Sequence, residues 1–239
     1  MNWKINFFIL SIVVVNFIIG IAIFAPILVV RIYNSQNKDI YMQSVDNWRE
    51  TNKGLKGGGI VFLGDSITER FRVNEFFQDK FVINRGISGD TTDGVLARMD
   101  ESVYALNPSK VFLMIGTNDL GIGNKEPKYI IHNIQKIIEE IKNRCPTTKI
   151  YLESIYPINN TNYNLIDKFM SGNRSNKTII ETNKGLAKLT GDNVTYIDVY
   201  SRLTDEYGKL KIDYTYKGLH LIGQGYRKVV EVLKPYVLE

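Results

Sequence analysis

Cysteine and histidine are scarce in this sequence, and their scarcity excludes several kinds of chemistry. The 239 residues include one cysteine, Cys145, and two histidines, His132 and His220. A lone cysteine cannot form an internal disulfide, and no segment has the paired Cys or His spacing of a zinc site. Neither Gly57–Gly59 nor Gly121–Gly123 has the lysine of a phosphate-binding loop or the GxGxxG spacing. We therefore predict neither a metal nor another cofactor.

Charge of one sign is not concentrated in any part of the chain. Lysine and arginine together number 30 against 25 aspartate and glutamate, which gives a net charge of +5. Because the excess is spread out and no basic stripe alternates with aromatic residues, a nucleic-acid partner is not predicted. With 44% hydrophobic residues and no shift in composition, the chain has enough apolar material for one core.

A long apolar run occupies the amino terminus, from Ile5 to Val30. As a helix it would span about 39 Å at about 1.5 Å per residue, more than the ~30 Å hydrocarbon core of a bilayer. It is also longer than the apolar part of a secretory signal, about 7–15 residues. Trp3 and Tyr33 stand where interfacial aromatic residues belong. We therefore predict that residues 1–33 form an uncleaved membrane anchor, a single transmembrane helix.

The rest of the chain divides into a short linker and one globular domain. Residues 34–58 are polar and end in glycines, which predicts a juxtamembrane linker, and a helix within Tyr41–Asn52 is compatible with its sequence. Residues 59–239 form the globular domain. Basic residues flank the anchor on both sides, so its orientation stays open. We expect the domain to lie outside the cytoplasm, in a bacterial cell envelope.

Short apolar runs alternate with helical patterns throughout the globular domain. The runs predict strands at residues 60–63, 81–84, 110–115, 149–155 and 194–199, and helical patterns cover residues 91–105, 126–143, 174–189 and 225–237. The second helical pattern is the clearest, because isoleucines recur along one face from Ile130 to Ile141. Strand–helix alternation with short links predicts an α/β fold with a five-stranded parallel sheet that is covered on both faces.

Four polar, glycine-bearing segments occur where strands are predicted to end or the last helix to begin. Gly64–Ile67, Asn84–Thr92 and Gly116–Asp119 each follow an apolar run, and Gly218–Leu221 precedes the last helical pattern. In the first segment Ser66 lies at a strand-to-helix turn, where its hydroxyl would project from the carboxyl edge of a sheet near the unpaired N–H groups of a helix start. That position favours Ser66 as a nucleophile.

Taken together, the four segments resemble the GDSL or SGNH hydrolase family, over roughly residues 58 to 237. The resemblance implies an esterase or lipase-like acylhydrolase on a flavodoxin-like, three-layer α/β/α sandwich. It also implies that the backbone N–H of Gly89 and the side-chain amide of Asn118 complete an oxyanion hole with Ser66. Gly86 lies in the same loop as Gly89 and is the alternative candidate for its role. Without catalysis, Gly89 would be an ordinary turn glycine and Asn118 would form an Asx turn after its strand.

The base follows from a choice between the two histidines. His132 lies two residues from both Ile130 and Ile134 on the isoleucine-striped helix, so its side chain is predicted to face solvent. His220 lies in a glycine-flanked loop before the last helix. If the chain is a serine hydrolase with a histidine base, that base is His220.

The chain departs from the family pattern Asp-x-x-His, because Lys217 stands three residues before His220. In the family that aspartate holds the imidazole tautomer and stabilises the imidazolium, which a charged lysine cannot do. Several alternatives are open. Asp213 or Asp198 supplies the carboxylate, a backbone carbonyl accepts the Nδ1 proton, the enzyme works as a Ser-His dyad, or Lys217 itself pairs with the serine.

The predicted function is that of a membrane-tethered serine esterase. Its substrates would be small acyl esters, including O-acetyl groups on envelope glycans or acyl groups on lipids. The alternative is a catalytically weakened module that keeps the fold and binds carbohydrate or lipid, because the residue that normally orients the base is absent. The two predictions differ in whether a serine-directed fluorophosphonate labels Ser66.

Overall fold

The computed structural model describes residues 38–161 and 164–239. Ser44–Glu239 form one compact unit, and the predicted anchor, residues 1–33, lies outside the described residues. Among the helices that are described, none is both long enough and apolar enough to cross a membrane.

Five parallel strands form the central sheet. They are β1 (Ile60–Gly64), β2 (Val82–Gly86), β3 (Lys110–Met114), β4 (Lys149–Glu153) and β5 (Val194–Ile197). Their spatial order is β2-β1-β3-β4-β5, with every neighbouring pair parallel. This is the strand order of the flavodoxin-like fold. The predicted strands and the predicted parallel sheet are confirmed, with ends that shift by a few residues.

Helices cover both faces of this sheet. Those that pack on one face are α4 (Thr92–Ala97), α5 (Met99–Ser102), α7 (Pro127–Arg144) and α9 (Asn176–Leu186). Those that pack on the other are α2 (Ser66–Glu69), α3 (Val73–Phe76), α10 (Tyr200–Leu203) and α11 (Gly223–Leu238). The remaining elements are the helical residues 38–52 (α1), α6 (Thr117–Gly121), α8 (Lys168–Ser171) and the antiparallel pair β6 (Thr215–Tyr216) and β7 (His220–Leu221).

The longest helix packs as its sequence predicts. In α7 the isoleucines of the stripe are buried against the sheet, and Pro127 stands at the helix start, where a missing N–H costs nothing. His132 on the same helix is exposed, as predicted. On the opposite face, Phe62, Phe112 and Tyr151 stack across β1, β3 and β4, with ring centroids 4.8 and 4.7 Å apart. The two faces therefore have separate cores, one aliphatic and one rich in aromatic rings.

One predicted helix is broken, and the break has a structural cause. The pattern over residues 91–105 predicts one helix, but α4 and α5 are separated at Arg98, whose backbone leaves helical geometry (φ −121°, ψ 20°). The Arg98 side chain is completely buried and hydrogen-bonded to inner groups of the fold. In a continuous amphipathic helix a guanidinium group is expected on the exposed face. Helical periodicity therefore does not predict that the Arg98 guanidinium is buried.

Candidate active site

The carboxyl ends of β1, β2 and β3 meet at one edge of the sheet, where the strand order reverses. Because β1 lies between β2 and β3, the connections from this point run in opposite directions along the sheet. Ligands of open α/β sheets bind at such a switch point. The loops that begin there carry Ser66, Gly89 and Asn118, and β7 begins with His220.

Ser66 and His220 are in direct contact. The Ser66 Oγ lies 2.9 Å from the His220 Nε2, and the two residues are only 7% and 5% exposed. Ser66 is the first residue of α2, so its own N–H has no acceptor within the helix. If Nε2 accepts the hydroxyl proton, the imidazole carries its other proton on Nδ1. The pair has the geometry in which a serine hydroxyl can transfer its proton to a histidine.

Asp65 fixes the turn that presents the serine. Its Oδ1 accepts a hydrogen bond of 2.9 Å from the Ile67 N–H and caps α2, while its Oδ2 accepts no hydrogen bond from any residue that the structure describes. Complete burial raises the pKa of Asp65 to about 7, against the lowering effect of the Ile67 hydrogen bond. The carboxyl group is thus a local cap whose charge is costly at this depth.

The imidazole of His220 lies in an environment that disfavours its charged form. Burial, together with the positive charges of Arg70 and Arg174, lowers the pKa of His220 to about 4. The Nδ1 atom is buried and has no hydrogen-bond partner among the described residues. His220 is therefore a neutral imidazole at physiological pH, oriented by its contact with Ser66 and by the β7 backbone.

The structure does not bring either predicted carboxylate to Nδ1. Asp198 is exposed, and its Oδ1 accepts a hydrogen bond of 3.1 Å from the Ser201 N–H at the start of α10. Asp213 is exposed in a short 3-10 turn. No backbone carbonyl in the described part of the chain accepts a hydrogen bond from Nδ1 either. Lys217 adopts a left-handed conformation (φ 58°) and places its Nζ 3.6 Å from Asp167 Oδ2. Within residues 38–161 and 164–239, the structure therefore presents a Ser-His pair with no carboxylate hydrogen-bonded to Nδ1.

The two glycines of the β2 loop differ in what surrounds them. A Cβ on Gly86 would lie 2.1 Å from the Glu69 backbone nitrogen, so Gly86 is required by close packing against α2. A Cβ on Gly89 would meet nothing within 4 Å, and Gly89 has a left-handed φ of 79°. The Gly89 N–H donates no hydrogen bond to any described residue. Open space and a free donor make Gly89, rather than Gly86, the glycine that can approach a ligand.

Arg174 holds the side chain of Asn118 in place. Its Nη2 donates to Asn118 Oδ1 at 2.7 Å, and its Nε donates to the Thr117 carbonyl at 2.7 Å. Asn118 Nδ2 in turn donates to the Asp90 carbonyl at 2.9 Å, which fixes which end of the amide carries the N–H groups. Arg174 was not identified as a site residue from the sequence. The one available signal was the position of this arginine between a long polar loop and a predicted helix.

A second buried arginine supports the serine turn and the Gly89 loop together. Arg98 donates from Nε to Asp90 Oδ2 at 2.7 Å and from Nη2 to the Gly64 carbonyl at 2.9 Å. The ring of Trp48, on α1, lies 5.4 Å from the Arg98 Cζ and 4.8 Å from the Arg85 Cζ. Burial, together with the charge of Arg98, lowers the pKa of Arg85 to about 10. Through these cation–π contacts Trp48 packs against the two arginines that lie behind the serine turn.

In the part of the chain that the structure describes, no three His, Cys, Asp or Glu side chains cluster as metal ligands would. The groups that meet at the switch point are the Ser66 hydroxyl, the His220 imidazole, the Gly89 N–H and the Asn118 amide. A site of this composition on a flavodoxin-like sheet is compatible with an ester hydrolase.

Residues 62–228 match the GDSL-like Lipase/Acylhydrolase family. This range is well over half of the chain, so the chain belongs to that family, and it is an ester hydrolase. A solved structure from Streptococcus pneumoniae, provisionally described as a platelet activating factor, shares 31% identity and a TM-score of 0.81, over 88% of this chain and 98% of that one.

Curated relatives match across most of the chain at lower identity. The platelet-activating factor acetylhydrolase IB subunit alpha2 of Rattus norvegicus is 25% identical over 185 residues, which cover 75% of this chain and 76% of that protein. The N-acylneuraminate cytidylyltransferase of Escherichia coli O18:K1:H7 is 28% identical over 208 residues, 84% of this chain but 46% of that protein. The chain thus spans about half the length of this second relative.

Proposed function

We propose that the chain hydrolyses small acyl esters through an acyl-enzyme, with Ser66 as the nucleophile and His220 as the general base. The single observation that carries this proposal is the 2.9 Å contact between Ser66 Oγ and His220 Nε2 at the switch point of the sheet. A neutral imidazole is required to take the proton, and the low pKa of His220, about 4, keeps it neutral.

The reaction follows from this pair in two stages. Ser66 Oγ attacks the ester carbonyl carbon while its proton passes to His220 Nε2, and a tetrahedral oxyanion forms. When the bond to the alcohol oxygen breaks, Nε2 returns the proton to that oxygen and the acyl group stays on Ser66. A water molecule then attacks the acyl carbon and gives a proton to Nε2. Collapse of the second tetrahedral intermediate releases the acid and restores the hydroxyl.

The proposed oxyanion hole consists of the Ser66 and Gly89 N–H groups and the Asn118 amide. Support comes from the free N–H and open space at Gly89 and from the fixed orientation of Asn118. Donors that are already aimed at the developing charge need no reorganisation during the reaction. Arg174 acts as a positioning residue in this scheme, because it holds the carbonyl end of the Asn118 amide.

Small acyl groups, including O-acetyl groups of envelope glycans or acyl groups of lipids, are the proposed substrates. A relative named an acetylhydrolase supports a short acyl chain. We further propose that the protein is tethered to a membrane with the hydrolase domain outside the cytoplasm, on the strength of the apolar run Ile5–Val30. Full-length protein that fractionates with membranes and needs detergent supports the tether. A mature protein that begins near Ala25 contradicts it.

The test of the hydrolase assignment uses the purified full-length chain and p-nitrophenyl acetate. We expect saturable hydrolysis that Ser66→Ala abolishes while thermal stability stays nearly unchanged. Ser201→Ala is the matched control, because Ser201 is exposed on α10 away from the site, and it should retain full activity. Undiminished hydrolysis by Ser66→Ala contradicts the proposal.

A further inference from the structure

A cleft with arginine residues in its lining lies between the end of α2, α3 and the start of α11. It has a volume of about 340 Å³, and its wall includes Leu221, the neighbour of His220 in β7. Phe76 and Tyr226 supply apolar wall, and the basic side chains are Arg70, Arg72 and Arg227.

Arg70 connects this cleft to the reacting serine. It follows Ser66 by four residues, and its N–H donates to the Ser66 carbonyl at 3.1 Å in a helical hydrogen bond. Residues spaced in this way lie on one face of a helix, with Cβ atoms about 5–6 Å apart. The Arg70 charge also acts on His220 and lowers the pKa of that imidazole. A group bound by Arg70 therefore lies within the length of a small substrate from Ser66.

The positive charge of the cleft is only partly neutralised by acidic residues, one of which, Glu75, also lines it. Glu75 pairs with Arg72 at 2.7 Å, and Glu69 accepts a hydrogen bond from Ser88. In the described part of the chain, neither Arg70 nor Arg227 forms an ion pair or a side-chain hydrogen bond. Both are exposed, so two guanidinium groups with unused donors face one small volume.

We propose that this cleft is the subsite for an anionic group, a phosphate or a carboxylate, on the ester substrate. The inference rests on the proposed function and narrows its substrate class to esters that carry a negative charge close to the scissile bond. Guanidinium groups suit this role, because their planar donors match the oxygens of phosphate and carboxylate. Phe76 and Tyr226, which line the same cleft, offer apolar surface to the uncharged part of such a substrate.

Two pairs of esters test whether an anionic group is recognised and whether it belongs to the alcohol side or the acyl side of the substrate. In one pair, 4-acetoxyphenyl phosphate carries phosphate on the alcohol side and is compared with phenyl acetate. In the other, mono-4-nitrophenyl succinate carries carboxylate on the acyl side and is compared with p-nitrophenyl acetate. We expect wild type to show a kcat/KM at least tenfold higher for the anionic member of one pair. Added salt should lower that preference, because it screens exposed charges.

The variants Arg70→Gln and Arg227→Gln test the subsite directly. Each should reduce the anionic-to-neutral ratio of kcat/KM by about tenfold, which is the weight of one charge-assisted contact of roughly 1.4 kcal/mol. Arg202→Gln, which replaces an exposed arginine on α10, is the matched control and should leave the ratio unchanged. Equal use of both members of each pair by wild type, or a ratio that neither variant changes, overturns the subsite and leaves the hydrolase assignment intact.

A binding measurement keeps the inference testable without turnover. Equilibrium dialysis with phenyl phosphate should show saturable binding to wild type and weaker binding to the variant in which Arg70→Gln and Arg227→Gln are combined. Binding that is equally strong in that variant, or no binding to wild type, refutes the subsite. If wild type binds phenyl phosphate but hydrolyses no ester, the proposed function fails and the anion site stands.

Discussion

Replacement of Lys217 by aspartate is the most informative change that the structure suggests. Lys217 stands three residues before His220, at the position where the SGNH pattern has its aspartate, and His220 Nδ1 has no hydrogen-bond partner among the described residues. Lys217→Asp would supply a charged acceptor at that position. The left-handed backbone at Lys217 suits aspartate better than lysine. We therefore expect kcat to rise.

The size of the gain can be bounded from the state of His220. Its pKa is about 4 instead of the ordinary 6.5. At about 1.36 kcal/mol per pKa unit, this interval corresponds to ~3.4 kcal/mol, or a factor of about 300 in proton affinity. The proton is only partly transferred in the transition state, so we expect about a tenfold to 100-fold increase in kcat.

The cost to the fold should be small. The ion pair between Lys217 and Asp167 is partly exposed, with side chains 44% and 35% accessible, and such pairs contribute about 0–1 kcal/mol. Because the new carboxylate would lie near Asp167, the double variant Lys217→Asp, Asp167→Asn removes the repulsion and should gain more. Lys217→Asn is the control, since a neutral acceptor can orient the ring but cannot stabilise the imidazolium.

Initial rates with p-nitrophenyl acetate between pH 4 and 9 measure both effects. In Lys217→Asp the acid limb of kcat/KM should move upward with the pKa of His220, alongside the rise in kcat. The reasoning is refuted if Lys217→Asp and the double variant both keep kcat within twofold of wild type and leave the acid limb unmoved.

Three further predictions concern the oxyanion hole and the base. Asn118→Ala removes one donor and should lower kcat by about 10²–10³ with little change in KM, and a change confined to KM would make Asn118 a binding residue. Arg174→Gln frees the Asn118 amide and removes a positive charge near His220, so kcat should fall about tenfold and the acid limb should move to higher pH. Arg174→Lys keeps the charge but not the paired donors, so it should lose kcat with the limb unmoved. In wild type, His220 accepts a proton only above its pKa of about 4, so kcat/KM should hold at pH 5 and fall near pH 4. Because Asp65 titrates near pH 7, the profile is repeated in Asp65→Asn, and an acid limb at pH 6 or above in that variant contradicts the low pKa.

Most of the fold and the Ser-His pair could be predicted because they depend on local sequence signals. The apolar runs and the isoleucine stripe of α7 mark elements whose burial follows from their periodicity. Ser66, Gly89 and Asn118 follow the ends of parallel strands, which bring such segments to one edge of a sheet, and His220 lies in β7 directly after a glycine-bearing turn. The exposure of His132 could be predicted for the same reason, because its face of the helix follows from its spacing to the isoleucines.

The groups that hold the site could not be predicted, because no local sequence pattern marks either partner of their contacts. Arg174 meets Asn118 across 56 residues, and Arg98 meets the Gly64 carbonyl across 34. Neither pairing leaves a periodic or spaced pattern in the sequence. The partner of His220 was open for a similar reason. Asp198 accepts a hydrogen bond from the Ser201 N–H at the start of α10 instead of from His220. Only the folded structure shows which of these two donors it pairs with.

Chemical labelling of Ser66 tests the central claim most directly. The full-length chain is incubated with a fluorophosphonate, and the modified peptide is identified by mass spectrometry while hydrolysis of p-nitrophenyl acetate is followed. We predict one label per chain, on Ser66, with loss of hydrolysis in proportion to labelling, and a much slower reaction in His220→Ala. Labelling at another residue, or full hydrolysis after Ser66 is modified, would contradict the account.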